Sequence, residues 1–208
     1  MNKQKKDEEN ESKSYESKRL KEIATIKTGY PLKSQEKANS QREIKVIYMS
    51  DIDENNVINW HNLETVEINN LDNRHLLKHN DILFCSRGVT NKVAMVSNPP
   101  DGVISATPLT VIRPHSTLVN PAYLTWYLNH PRTQYEISRF AKGTSLLMIS
   151  KEDLGKLNIT LPPLSKQQLI LEIQELNLKE QQIIQDMAHK KQKLTDKLLW
   201  KIAQGEIN

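Results

Sequence analysis

Polar side chains that can donate hydrogen bonds lie in three predicted loops of the sequence. Their guanidinium, ammonium, amide and hydroxyl groups are the kinds that contact phosphates and base edges in nucleic acids. An arginine paired with guanine is the commonest specific contact of this type. The candidate DNA-binding residues are Tyr30, Lys33, Arg87, Asn91, Lys92, Lys142, Thr144 and Ser145. For any one of them, an ordinary loop surface is the alternative interpretation.

One segment, Asn98-Pro99-Pro100, is similar to the motif with which amino-methyltransferases hold a target adenine. In those enzymes an aromatic residue follows and stacks on the flipped base, whereas Asp101-Gly102 follows here. No glycine-rich loop that could seat a methyl donor lies upstream. The segment is therefore predicted to be a turn between strands, and the chain is not a methyltransferase by itself.

Other patterns for catalysis are missing as well. Ser86 lacks the glycine on each side that a nucleophile elbow needs, and no Gly-Lys-Ser/Thr phosphate loop is present. The six histidines lack metal-ligand spacing, and the acids around Asp51 lack the spacing of a nuclease metal site. We therefore expect no catalytic residue, no metal and no cofactor in this chain.

Composition indicates a soluble protein with one domain and an extension. The chain has 208 residues, 37% of them hydrophobic and 5% aromatic, and a mean hydropathy of -0.62. No apolar run approaches the roughly 20 residues of a membrane-spanning helix, and no signal peptide is visible, so we expect a cytoplasmic protein without membrane contact. The single cysteine, Cys85, excludes an internal disulfide and is predicted to be buried.

The charge is mildly basic. The formal net charge is +4 and the pI is near 9.0. Most of the excess lies in residues 19–164, which hold 17 Lys/Arg against 14 Asp/Glu. This balance is compatible with nucleic-acid contact but does not require it.

The pattern of short elements predicts an α+β fold of mixed strands and short helices that positions these loops. Two strands, 82–85 and 92–96, should present the polar loop 86–91 at their tip. Helical periodicity runs from Pro121 to Phe140 with a break at Pro131, and Ser150 starts a short capped turn. Further strands are expected at 44–50, 103–106, 109–113 and 158–161. Pro162-Pro163 should end the last strand.

Four regions follow from this pattern. Residues 1–18 are polar without periodicity and are predicted to be a disordered tail. Residues 19–164 form the globular domain, residues 165–205 a long helix with Ser165 as its N-cap, and residues 206–208 a short tail.

The long helix is predicted to be a coiled coil, because no proline or glycine lies between Lys166 and Gln204. Its heptad is imperfect, since the register passes through Glu180 and Lys190. A helix of this length, about 58 Å, needs a partner helix to cover its apolar stripe; the alternative is that it folds back over its own domain. The predicted dimerisation residues are Leu169, Ile173, Leu176, Ile183, Met187, Leu194 and Leu198.

Several segments together carry a family resemblance. They are Leu20 to Gly29, Asp81 to Phe84 with Arg87-Gly88, Lys142-Gly143-Thr144, Leu157 to Leu164, and Leu198-Leu199 to Gly205. In this order, over about residues 19–207, the chain resembles a type I restriction-modification specificity subunit. The most specific part is the stretch from Gly-Thr to Pro-Pro-Leu with the long helix. Lys166-Gln167 departs from the family, which usually carries Glu-Gln after Pro-Pro-Leu.

The resemblance implies a half-length form, because family members usually hold two target-recognition domains and two long helices. This sequence has one of each. A two-fold homodimer with antiparallel helices would restore the usual architecture, and each domain would read one half of a bipartite, palindromic site in double-stranded DNA.

Catalysis would then belong to other subunits. The resemblance implies that the chain recruits modification subunits, which carry the adenine methyltransferase activity and bind S-adenosylmethionine. Whether a translocating restriction subunit joins them stays open.

A function of a different class fits the same pattern. The chain could be a coiled-coil adaptor whose globular end binds a protein partner without reading DNA. Its binding would be insensitive to salt, whereas phosphate contacts make DNA affinity fall steeply with salt.

Overall fold

A computed structural model describes residues 15–32, 42–68, 71–88, 91–143 and 147–206. The strands are β1 Ser17–Arg19, β2 Ala24–Thr28, β3 Arg42–Ile47, β4 Glu64–Ile68, β5 Ile82–Cys85, β6 Val93–Met95, β7 Val103–Ser105, β8 Leu109–Pro114 and β9 Asn158–Thr160. The helices are α1 Leu20–Ile23, α2 Pro121–Asn129, α3 Pro131–Ser138, α4 Lys151–Leu154 and α5 Leu164–Ala203.

Three sheets organise the first part of the chain, and the predicted α+β class is confirmed. The largest sheet has the order β2-β8-β5-β6 with antiparallel neighbours. The second has the order β4-β3-β7, in which β3 and β4 are antiparallel and β3 and β7 are parallel. The third pairs β1 with β9.

A shared hydrophobic core joins the two larger sheets. Leu83 of β5 and Val111 of β8 pack in one cluster with Ile47 of β3 and Val103 of β7, and all four are buried. Cys85 belongs to the same cluster, so its predicted burial is confirmed. Burial raises the pKa of the Cys85 thiol to about 11, so the thiol stays protonated and unreactive at neutral pH.

Local sequence signals set the ends of several elements as predicted. Pro131 separates α2 from α3, and the side chain of His130 between them accepts a hydrogen bond from the backbone N–H of Arg132. The Ser150 hydroxyl accepts from the backbone N–H of Asp153 at 3.0 Å and caps α4. The turn at Asp101-Gly102 follows the Asn-Pro-Pro segment, with Gly102 at φ 69°.

Gly29 ends β2 in a place where only a glycine fits. A Cβ atom there would lie 2.6 Å from the carbonyl oxygen of Ala106 and 2.9 Å from that of Leu109. The close approach lets the Gly29 N–H donate to the Leu109 carbonyl at 2.7 Å and the Tyr30 N–H to the Ser105 carbonyl at 2.7 Å. Gly29 therefore fixes the start of the loop that carries Tyr30.

Two features differ from the sequence predictions. Ser17 and Lys18, assigned to the tail, pair with Thr160 and Ile159 in the β1–β9 sheet, so the ordered domain begins earlier than residue 19. The N-cap assignment of Ser165 is wrong. The helix begins at Leu164, and the carbonyl of Pro163 accepts hydrogen bonds from Lys166 and Gln167, which places Ser165 inside the first turn.

The chain divides into two compact units between Gln167 and Gln168. Within the first unit, the buried Gln167 side chain accepts from the Asn120 N–H and donates to the Pro162 carbonyl, both at 2.8 Å. The second unit contains most of α5, a continuous helix of 40 residues. None of the helices among the described residues is long and apolar enough to cross a membrane.

Candidate nucleic-acid interface

The hairpin of β5 and β6 presents a polar tip, as predicted. At its base the buried hydroxyls of Ser86 and Thr110 lie 2.6 Å apart in a hydrogen bond. The next residue, Arg87, is exposed, and among the described residues its guanidinium has no hydrogen-bonding partner. A buried hydroxyl pair thus lies next to the exposed Arg87 in the chain.

A second segment, residues 147–149, pairs with this tip. The Ile149 N–H donates to the Ser86 carbonyl at 2.9 Å, and the Gly88 N–H donates to the Leu147 carbonyl at 3.3 Å. On its other side Met148 exchanges two backbone hydrogen bonds with Lys142, both 3.0 Å long. Because Met148 bridges to both Arg87 and Lys142, the structure brings these two predicted residues to either side of Met148.

Asp153 connects Lys142 to the first turn of α4. Its carboxylate, 10% exposed, accepts from Lys142 Nζ and Lys156 Nζ at 2.7 Å each and from the Ser150 hydroxyl at 3.0 Å. Hydrogen bonds from Lys142, then Lys156 and Ser150, hold the pKa of Asp153 well below its usual range. Sequence analysis placed Asp153 only in the capped turn after Ser150, because its ion pair with Lys142 joins residues 11 apart in the chain.

The lowered pKa of Asp153 gives a pH-dependent prediction. The ionised carboxylate stabilises the folded state fully above the unfolded pKa of about 3.9, and this contribution is lost as pH falls through the lower folded pKa. We expect Asp153→Asn to lower the urea midpoint at pH 7. The difference from wild type should shrink steadily below about pH 4, measured by circular dichroism.

The neighbouring change Glu152→Gln is the matched control, since the Glu152 side chain is 66% exposed and its nearest cation, Lys151, is 3.8 Å away. This variant should shift the midpoint little at either pH. A constant difference between Asp153→Asn and wild type from pH 7 to pH 3 would contradict the assignment.

Two other predicted residues brace the hairpin from inside. The Asn91 side-chain amide donates to the Cys85 carbonyl at 2.8 Å, and the Asn91 backbone carbonyl accepts from the Gln134 side chain at 3.1 Å. Lys92 Nζ donates to the Ile52 carbonyl at 3.2 Å and pairs with Glu54 at 2.8 Å. Both polar groups are thus used within the chain, and their role in DNA binding stays a prediction.

Tyr30 lies at the edge of a different cluster. Its ring packs edge-on against the His75 ring with centroids 5.2 Å apart, and it is half-buried. Burial and the nearby Arg74 lower the pKa of His75, so the imidazole is neutral at pH 7. The remaining predicted residues, Lys33, Thr144 and Ser145, lie outside the described residues.

A groove of about 360 Å³ runs beside Arg87. The hydroxyl-bearing residues Thr28, Thr107 and Ser150 line it, together with Arg87 and Lys151. Hydroxyl and cationic donors at the mouth of an open groove suit phosphate oxygens and base edges. The sequence did not indicate Thr28, Thr107 or Lys151, since Thr28 ends β2, Thr107 precedes β8 and Lys151 begins α4.

No group of three or more His, Cys, Asp or Glu side chains in the described parts of the chain lies close enough to hold a metal ion. Glu152 and the apolar Pro108, Met148 and Ile149 also line the groove beside its hydroxyl and cationic groups.

The predicted dimerisation residues all lie on α5 and all are exposed in the single chain. Their exposed fractions run from 44% at Leu169 to 68% at Leu194. Leu178, on the opposite side of the helix, is also exposed. An exposed apolar row of this length is unusual for an isolated helix in water.

The structure combines an α+β domain, whose groove is lined in part by hydrogen-bond donors and cations, with a long helix. The chain belongs to the family of type I restriction modification DNA specificity domains, whose model matches residues 12–195. It is accordingly a specificity component, and the family does not supply catalysis. A search of curated proteins found no match.

Solved structures show the same fold. The HsdS subunit from Thermoanaerobacter tengcongensis has a TM-score of 0.67 and 21% identity, with 94% of this chain and 50% of that chain covered. A chain from a structure on complex assembly and conformational transition of the type I R-M system gives 0.57 and 19%, with 93% and 49% covered. The S subunit from M. genitalium gives 0.52 and 13%, with 81% and 40% covered. This chain thus spans about half the length of these proteins.

Proposed function

We propose that the chain is the DNA-specificity subunit of a type I restriction-modification system and reads double-stranded DNA as a homodimer. The observation that carries the proposal is the exposed apolar row of α5. Two copies joined through α5 supply two recognition domains. Because a two-fold dimer presents the same surface twice, its DNA site is bipartite and palindromic.

In this proposal residues 19–164 are the target-recognition domain and residues 165–205 the dimerisation helix. The groove beside Arg87 contacts one half-site, with Lys142 next to it. Its hydroxyls and Lys151 bind phosphates, and the Arg87 guanidinium reads a base edge.

The catalytic steps belong to partners. The dimer recruits modification subunits that bind S-adenosylmethionine and methylate adenine, and a restriction subunit can join the complex. This chain itself holds no cofactor in the proposal.

Mass in solution and methylation patterns test the proposal together. Light scattering should give the mass of two copies, and a host that carries this chain with a modification subunit should methylate a split palindrome. The purified complex should bind duplex DNA with an affinity that falls steeply as salt rises. Salt-insensitive binding to a protein partner, with no binding to duplex DNA, would instead identify an adaptor.

Arg87→Ala should weaken binding to the cognate duplex by about 1–3 kcal/mol per half-site and relax the sequence preference at one position. Arg87→Lys is the matched control, because lysine keeps the charge for a phosphate but lacks the rigid planar fork with which arginine recognises guanine. If Arg87 reads a base, Arg87→Lys should weaken the preference as well, whereas a phosphate contact should be largely kept. Unchanged affinity and preference in Arg87→Ala, measured by titration of a randomised duplex library, would exclude the role.

A further inference from the structure

A row of positions on α5, seven of them apolar, follows an 11-residue repeat, and two of the predicted dimerisation residues, Ile183 and Leu194, lie outside it. Steps of four, three and four residues, repeated three times, connect its central positions without a break. These positions are Leu169, Ile173, Leu176, Glu180, Ile184, Met187, Lys191, Thr195, Leu198 and Ile202. An 11-residue repeat has about 3.67 residues per turn, close to an undistorted α-helix, so the row stays on one face of a nearly straight helix. Consecutive four-residue steps, which interrupt a heptad, are a regular part of this repeat.

Polar pairs occupy the opposite face. Gln182 donates to Asp186 at 2.9 Å and Gln192 to Asp196 at 3.0 Å, each four residues apart. These contacts stay within one helix and suit a solvated surface. The row and these polar pairs therefore lie on different sides of the helix.

Two charged residues interrupt the apolar row. Glu180 and Lys191 occupy equivalent positions of the repeat, 11 residues apart, and both are exposed in the single chain. Neither forms an ion pair within the described residues, although other helix residues such as Glu175 and Lys179 do. A charge buried in an interface without a counter-charge is costly, so a partner that covers this face must supply one to each.

The spacing of the positions in this row is symmetric about its centre. Counting inward, Leu169 corresponds to Ile202, Ile173 to Leu198, Leu176 to Thr195, Glu180 to Lys191, and Ile184 to Met187. An antiparallel second copy centred between residues 185 and 186 therefore sets apolar groups against apolar groups almost throughout. The same register sets each Glu180 against a Lys191.

We propose that the partner of this face is a second copy of α5, antiparallel and centred between residues 185 and 186, with reciprocal Glu180–Lys191 ion pairs that fix the register. The proposal rests on the proposed homodimer and specifies its geometry. In a parallel pair, Glu180 would face Glu180 and Lys191 would face Lys191, which is repulsive at both places. The charges thus favour one orientation as well as one register.

Substitutions that reverse the charges at positions 180 and 191, made in the whole 208-residue chain, test the register. Glu180→Lys and Lys191→Glu, each alone, should weaken dimerisation at least about tenfold in sedimentation or light scattering, because each sets like charges face to face twice per dimer. An equimolar mixture of the two variants should recover dimers as heterodimers. The double variant Glu180→Lys/Lys191→Glu should dimerise about as well as wild type.

A cysteine pair tests the orientation. Ile173→Cys/Leu198→Cys should form intermolecular disulfides on mild oxidation, since these positions face each other in the proposed register. Ile173→Cys alone should not cross-link, because the two copies of residue 173 lie about 37 Å apart in an antiparallel pair. The natural Cys85 is buried and leaves the background low.

The outcomes separate the two proposals. If the wild-type chain is a dimer but single charge variants dimerise as well as wild type, or Ile173→Cys alone cross-links, the register is wrong and the homodimer stands. If the wild-type chain stays monomeric and only a different helical subunit captures it, the homodimer itself fails. Circular dichroism on each variant verifies that the exposed substitutions leave the helix intact.

Discussion

Met187→Asp should convert the dimer to a monomer and abolish tight binding to the bipartite DNA site. Met187 is 66% exposed in the single chain and lies near the centre of the symmetric row on α5. In the dimer each copy would bury a carboxylate among apolar side chains without a counter-charge, which costs several kcal/mol per ion. The dissociation constant of the dimer should rise at least about 100-fold, a change of about 2.7 kcal/mol.

The effect on DNA binding should be larger than the loss of any single contact. Two linked recognition domains bind one duplex about 10²–10⁴-fold more tightly than either alone, and a monomer lacks this gain. A duplex that carries only one half-site should bind wild type and Met187→Asp alike. Titration of both duplexes against both proteins therefore separates lost dimerisation from damaged DNA recognition.

Leu178→Asp is the matched control. Leu178 is 54% exposed on the same helix, but it lies outside the symmetric row. It is rotated about 180° around the helix axis from Leu169 and Met187. The same type of substitution should leave the mass of the dimer and the affinity for the bipartite duplex unchanged. Equal loss in both variants would indicate that helix stability, rather than the row, accounts for the effect.

The elements of the fold could be predicted where local chemistry decides them. Pro131 separates two helices because it lacks an N–H, and Pro162-Pro163 ends the last strand for the same reason. The β5–β6 hairpin follows from two short apolar runs joined by a polar loop. Each signal acts within a few residues and needs no knowledge of the rest of the fold.

Long-range pairing could not be predicted in this way. The parallel contact of β3 with β7 joins segments far apart in the chain, and the β1–β9 sheet recruits Ser17 and Lys18 from a stretch that looks like a polar tail. A strand of three residues is too short to show a recognisable alternation of apolar and polar residues. It can be identified only once its pairing with the partner strand is known.

In the candidate site, the contacts of individual side chains could not be predicted from the sequence either. Polar loop residues could be identified from sequence, but the direction of each side chain could not. Asn91 and Lys92 donate to carbonyls inside the domain, whereas Arg87, a few residues away, is exposed. The acids Asp81 and Asp153 gain their importance from cations 32 and 11 residues away in the chain.

Asp81→Ala should be among the most destabilising single substitutions in the domain. The Asp81 side chain is 1% exposed and accepts two hydrogen bonds from the Arg113 guanidinium, at 2.6 and 2.7 Å, and a third from the Lys78 N–H at 2.8 Å. Hydrogen bonding to Asp81 raises the pKa of Arg113 above its ordinary value. Removal of the carboxylate leaves a partly buried guanidinium without a counter-charge and a turn N–H without an acceptor. The free energy of unfolding should fall by about 3 kcal/mol.

The exposed pair of Asp72 and Arg74 provides the comparison, because it has the same chemistry in water. Their side chains are 54% and 67% exposed and 3.1 Å apart, so Asp72→Ala should cost about 1 kcal/mol or less. Urea denaturation at one protein concentration, followed through the tryptophan fluorescence of the globular domain, measures both variants. The two pairs differ in burial and in bidentate geometry. Equal losses of unfolding free energy in the two variants would therefore show that the buried Asp81–Arg113 contact stabilises the domain no more than an exposed ion pair does.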